Sequence, residues 1–283
     1  MCAAGFVLLV IGSLAAKNDL SKAAGTGKIA ALSNLCFAIP LAVFGAEHLS
    51  GANFLKDAVP AYIPWHLFWA YFVGAALIAA ALSIATKVQV RWSGLLFGIM
   101  MFLFVVMIHL PQALATQTRF AWAVVFREPS FAAGAWMLSA SAMDGSHPRA
   151  KSTLIVVGRM IIGIVAVFFA IEQLRHPLGM PGVPLEKEMP VWIPLRPLIG
   201  YLTGAFLLFG GIFILLNKGT RMVATYLGGW LLLLVLVIYG PVMVAALSDP
   251  STAIKVEGIN YFADTLLFTG SILALAKAAQ QHD

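Results

Sequence analysis

The sequence predicts an all-α integral membrane protein built from two parallel four-helix bundle repeats, with eight or nine transmembrane helices in total. Three observations predict it. Of the 283 residues, 61% are hydrophobic and 11% are charged, with a mean hydropathy of +0.92; a soluble domain carries about 25% charged residues. Apolar stretches of about 20 residues, the length that crosses a bilayer core, recur along the whole chain. The two halves also repeat each other. At an offset of 130, Ile63/Ile193, Pro64/Pro194, Tyr71/Tyr201, Gly74/Gly204, Arg91/Arg221, Gly98/Gly228 and Pro111/Pro241 match without a gap. Upstream the offset is 125, where Ile39/Ile164, Phe44/Phe169, Glu47/Glu172 and Leu49/Leu174 match. The five-residue difference falls in a loop, where insertions are tolerated best. Apolar identities alone could be compositional, but Pro, Gly, Arg and Glu recurring in fixed order report duplication.

Taken in order, residues 2–16 are apolar but short for a span, and they lack the positive start of a cleaved signal peptide. They are read as a ninth, N-terminal helix. The first repeat then has helices at 29–48, 65–86, 92–114 and 128–143. The second has them at 154–174, 195–216, 222–247 and 259–277. The organisation is an N-terminal helix and basic loop (1–28), a first repeat (29–145) and a second repeat (153–278). Four helices per repeat is an even number, so both halves enter the membrane in the same direction, unlike the inverted repeats of many carriers.

Charge placement sets the orientation. Lys17, Lys22, Lys28, Lys87, Arg91, Arg149, Lys151, Lys218, Arg221 and Lys277 fall in one set of loops with Asp19, Asp144 and Asp283. The other set holds seven Lys and Arg, counting Arg119 and Arg127 between the third and fourth helices, against nine acids. The positive-inside rule places the first set and the C-terminus in the cytoplasm, in a multi-pass protein of the inner membrane. The net charge of +6 therefore reports topology, and no nucleic-acid partner is expected. Cys2 and Cys36 lie in apolar segments, which leaves neither a disulfide framework nor a zinc ribbon. Nucleotide loops, nucleophile elbows and zinc-protease motifs are absent.

Ionisable residues near membrane depth are costly and point to function. Here they gather at the outward end: Glu47, His48, His66 and His109 in the first repeat, Glu172, Arg196 and Tyr239 in the second. His66 aligns with Arg196 and His109 with Tyr239. Three readings stay open. One is structural, with these groups capping loops and helix ends. The second is a pocket for a quinone or similar small ligand, whose carbonyls need hydrogen-bond donors and whose reduction needs protons. The third is a metal or haem site, the least favoured, since no His pair sits at i, i+4 and the second repeat lacks the equivalent histidines. Arg159, near the inner face, is read as snorkelling to lipid phosphate. Residues 178–191, with Gly179, Pro181, Gly182 and Pro184, form the longest polar loop and are expected to lie over the outer mouth.

The repeat unit, with a first helix ending "FGAEHL" or "FFAIEQL" and a loop closing on "VPAYIPWHLFWAYFVGAALIAAAL" or "MPVWIPLRPLIGYLTGAFLLFGGI", resembles the DoxX-like family of small bacterial four-helix membrane proteins. The resemblance covers nearly the whole chain, once per half, and rests mostly on hydropathy, Pro and Gly. Some family members are linked to membrane oxidoreductases, including a thiosulfate:quinone oxidoreductase subunit. The resemblance thus implies a fused tandem protein with a redox partner and a quinone as the expected ligand. Transport along the pseudo-two-fold axis, and a non-catalytic scaffold for an oxidoreductase, are the competing functions.

Overall fold

In a computed structural model that describes residues 1–183 and 186–279, the chain forms nine long helices and, among the described residues, no strand. They are α1 (Cys2–Lys22), α2 (Gly27–Ser50, with a turn at Leu32), α3 (His66–Thr86), α4 (Val90–Thr116), α5 (Arg119–Ser141), α6 (Pro148–Arg175), α7 (Arg196–Leu215), α8 (Thr220–Leu247) and α9 (Thr252–Ala279). Eight are long and apolar enough to cross a membrane. The exception is α5, which carries Arg119, Arg127 and Glu128. The chain is an all-α, multi-pass membrane protein. Pro184 and Asp283 of the loop and tail considered above lie outside the described residues.

Backbone details repeat with the sequence. Trp65 and Leu195, Lys87 and Asn217, and Gln89 and Gly219 all adopt left-handed conformations, each pair 130 apart. The first pair opens α3 and α7; the others form the tight turns to α4 and α8. A π-helical turn interrupts α4 at Val105–His109 and α8 at Val235–Tyr239. Its cause is local. Pro111 and Pro241 follow two residues later, and each lacks the N–H that would continue the regular ladder.

The packing repeats too. A Cβ on Gly74 would stand 3.0 Å from Leu49, and one on Gly204 would stand 2.8 Å from Leu174, so small residues let α2/α3 and α6/α7 approach closely. The two repeats also interlock. The fourth helix of each packs on the first helix of the other, α5 on α6 and α9 on α2. At the centre α5 and α9 cross, and residues 137 apart meet there: Arg127 with Asp264, and Gly134 with Ser271. A Cβ on Gly134 would lie 2.6 Å from the Cα of Ser271. Gly134→Ala is therefore expected to cost about 1–3 kcal/mol by overpacking. Heating in detergent reads it as an earlier loss of monodisperse protein, and an unchanged midpoint would refute it.

The N-terminal helix is longer than the 2–16 expected. Its 21 residues rise about 30 Å at 1.5 Å each, enough to span. It lies along α2 and α3, with Gly5 over Val43 and Asp19 paired to Lys87 at 2.9 Å and Lys277 at 3.6 Å.

Candidate functional site

The largest departure from the sequence reading is the start of α5. The expected boundary at 128 left Arg119 and Arg127 in the connection before the helix. The helix instead begins at Arg119, where the Thr118 hydroxyl accepts a hydrogen bond from the Ala121 N–H and caps it. Arg127 is then carried inside. Its side chain is 12% exposed and donates to Asp264 at 2.6 Å and to Glu128 at 3.1 Å and 3.4 Å. One guanidinium thus meets two buried carboxylates with charge-assisted bonds that are stronger than neutral ones.

Three of the residues singled out from the sequence belong to this cluster. His109, in the π turn, lies within electrostatic reach of Glu128 and Arg127. Tyr239, at the matching π turn of α8, lies within electrostatic reach of Asp264. Glu47, also within reach of Asp264, accepts a hydrogen bond from Asn260 at 3.2 Å. The other four have different surroundings. Glu172 pairs with Arg119 at 2.6 Å. The Nδ1 of His48 is 2.9 Å from the Phe44 carbonyl of its own helix. Arg196 donates to the Met189 carbonyl at 2.9 Å, and His66 is half-buried at the start of α3. Sequence reasoning missed Arg127 and Glu128 as site residues, although an Arg-Glu pair inside an apolar chain is itself the signal.

The loop before α7 does not lie over the mouth as expected. It enters the second repeat. Met180, Val183 and Met189 are each 1% exposed, and Gly182 sits against Leu231, Leu234 and Thr265. Gln173, fully buried on α6, holds it by accepting from the Gly182 N–H at 3.1 Å and donating to the Gly179 carbonyl at 3.4 Å. Tyr239 donates to the Pro181 carbonyl at 2.7 Å. Apolar burial of three side chains and satisfaction of their backbone drive the insertion. So Tyr239 and Arg196, both donors expected for a ligand oxygen, are engaged by main-chain carbonyls of the loop.

The first repeat has no such plug. Its loop is five residues shorter and leaves Phe54, Tyr62 and Trp65 exposed. The residues matching the plugged wall follow suit. Leu234, Ile238 and Tyr239 are buried, while Phe104, Ile108 and His109 are only half-buried. His66 and His109, the counterparts of Arg196 and Tyr239, make no hydrogen bond to any described residue.

The fold and site together define a multi-pass, all-α membrane protein with a buried, ion-paired centre at the crossing of its two fourth helices. The chain matches no family model, and neither curated proteins nor solved structures show a match to it.

Proposed function

We propose that the chain is a tandem DoxX-like, redox-associated membrane protein whose first repeat holds a quinone or a similar small apolar ligand with carbonyl oxygens. The observation that carries this is the occupied second repeat. There Tyr239 and Arg196 each donate to a carbonyl of an inserted apolar segment. In the first repeat the equivalent residues, His109 and His66, are half-buried and make no described hydrogen bond. The loop is thus an internal stand-in for the ligand, and a ring with two carbonyls and apolar substituents has the matching chemistry. Glu128, within electrostatic reach of His109, would return a proton that His109 delivers to a ligand oxygen. Converting a bound quinone to the quinol takes two protons and two electrons, the electrons coming from a partner oxidoreductase. By the positive-inside rule, this end of the first repeat faces the outer side of a bacterial inner membrane and the C-terminus is cytoplasmic.

Mass spectrometry of lipid extracted from the purified protein tests the reading. Retained quinone is expected. His109→Phe should reduce retention about three- to tenfold, as for one lost hydrogen bond. Tyr239→Phe should leave retention unchanged, because its hydroxyl serves the loop. A His66→Phe/His109→Phe double variant that retains ligand as the parent does would sink the proposal.

A further inference from the structure

At the opposite, basic end of the bundle the repeats differ in a second way. In the first repeat, Asn34 on α2 donates to the Ile84 carbonyl at 3.1 Å and accepts from Lys277 at 3.0 Å. The carboxylate of Asp19, brought by α1, completes this corner by bonding Lys87 and Lys277. The second repeat has the same corner without an α1. Arg159, 125 residues after Asn34, donates to the Ile214 and Leu215 carbonyls at 2.6 Å and 2.8 Å, and Ile214 is 130 residues after Ile84. Asn217 replaces Lys87, and its side-chain oxygen accepts from Thr220 at 3.0 Å. Beside this corner lies a cavity of about 300 Å³, lined by Ser152, Arg159, Asn217, Thr220, Arg221 and Leu275 among others.

Two guanidinium groups and no carboxylate line this cavity among the described residues. Only one nitrogen of Arg159 is committed to the α7 carbonyls, and Arg221 makes no described side-chain contact. The cavity also faces the first turn of α8, a 28-residue helix that begins at Thr220, and a helix start favours negative charge. The first repeat satisfies its corner with a carboxylate of the chain itself; the second lacks one. Guanidinium forks match phosphate oxygens in pairs, which favours phosphate over a simple halide. Val156, on the same rim, is 48% exposed on the membrane-facing surface, so the cavity opens sideways toward acyl chains.

We propose that this corner of the second repeat is a phosphate site, taking the phosphodiester of an anionic phospholipid between α6, α8 and α9. Basic pockets between spans recruit lipid phosphates in this way. The site is independent of the ligand site proposed at the other end, and so is its test. Calorimetric titration of the full chain in non-ionic detergent would compare dihexanoyl-phosphatidylglycerol, inorganic phosphate and dihexanoylglycerol. Saturable binding of the phosphatidylglycerol is expected, weakened about tenfold in Arg221→Gln. Arg221 supports no other described contact, so this variant should fold; Arg159→Gln should weaken binding as well. Inorganic phosphate binding as tightly as the lipid would support the phosphate site and identify a soluble source. Absence of saturable binding by either phosphate compound, parental affinity in Arg221→Gln, or equal binding of dihexanoylglycerol would each overturn it.

Discussion

Replacing Arg127 with methionine is expected to destabilise the chain by about 3–5 kcal/mol, the loss typical of breaking a buried ion pair from one side. The cause is the partners left behind. Asp264 and Glu128, 11% and 9% exposed in their side chains, would face each other and Glu47 without a countercharge in a medium that screens poorly. The position also lies where α5 meets α9, so the strain falls on the contact that interlocks the two repeats. The check is the midpoint at which heating in detergent removes monodisperse protein. A companion variant, Arg127→Met with Asp264→Leu and Glu128→Gln, should recover most of the loss, because an apolar replacement of similar volume no longer buries charge. If the single change leaves the midpoint where it was, or the triple change lowers it further, the cluster has a different energetic role.

Gln173→Leu is expected to cost about 2–6 kcal/mol, since two buried main-chain groups lose their partners at roughly 1–3 kcal/mol each. These are the Gly182 N–H and the Gly179 carbonyl. A leucine has nearly the right volume and no hydrogen-bonding group, so the loop cannot be satisfied where it sits and should leave the second repeat. Two readouts separate this from general unfolding. Protease cleavage within residues 177–195 should rise sharply while the helices stay intact, and the space vacated by Met180, Val183 and Met189 should become open to an apolar ligand. A loop as resistant as the parent's would show that Tyr239 and the buried methionines suffice to hold it.

Much of the architecture is legible in the residues. The apolar runs place the spans, and the Pro, Gly and Glu landmarks disclose the duplication. Its reality at atomic scale appears in the paired left-handed turns and in the π turns 130 residues apart. The residues that define the site were only partly legible. Glu47, His109 and Tyr239 stood out as polar groups at one depth. Arg127 did not, because a charged, proline-containing stretch has the local signature of a loop. What keeps it helical and buried is Asp264, 137 positions away, and a partner that distant leaves no local trace. The inserted loop was misplaced for a similar reason. Its glycines and prolines describe a turn-rich segment, while its depth depends on whether a cavity of the right shape waits beneath it.

The sequence by itself determined that this is an all-α membrane protein and that its two halves share landmarks in fixed order, since hydropathy and repetition are properties of order along the chain. Tertiary structure alone decided that the loop before α7 is inserted among the helices, and that α5 and α9 pack on α6 and α2 across the molecule. The physical reason is that a buried charge or an inserted loop is stabilised by groups remote in sequence. Their contributions exist only once the helices have packed.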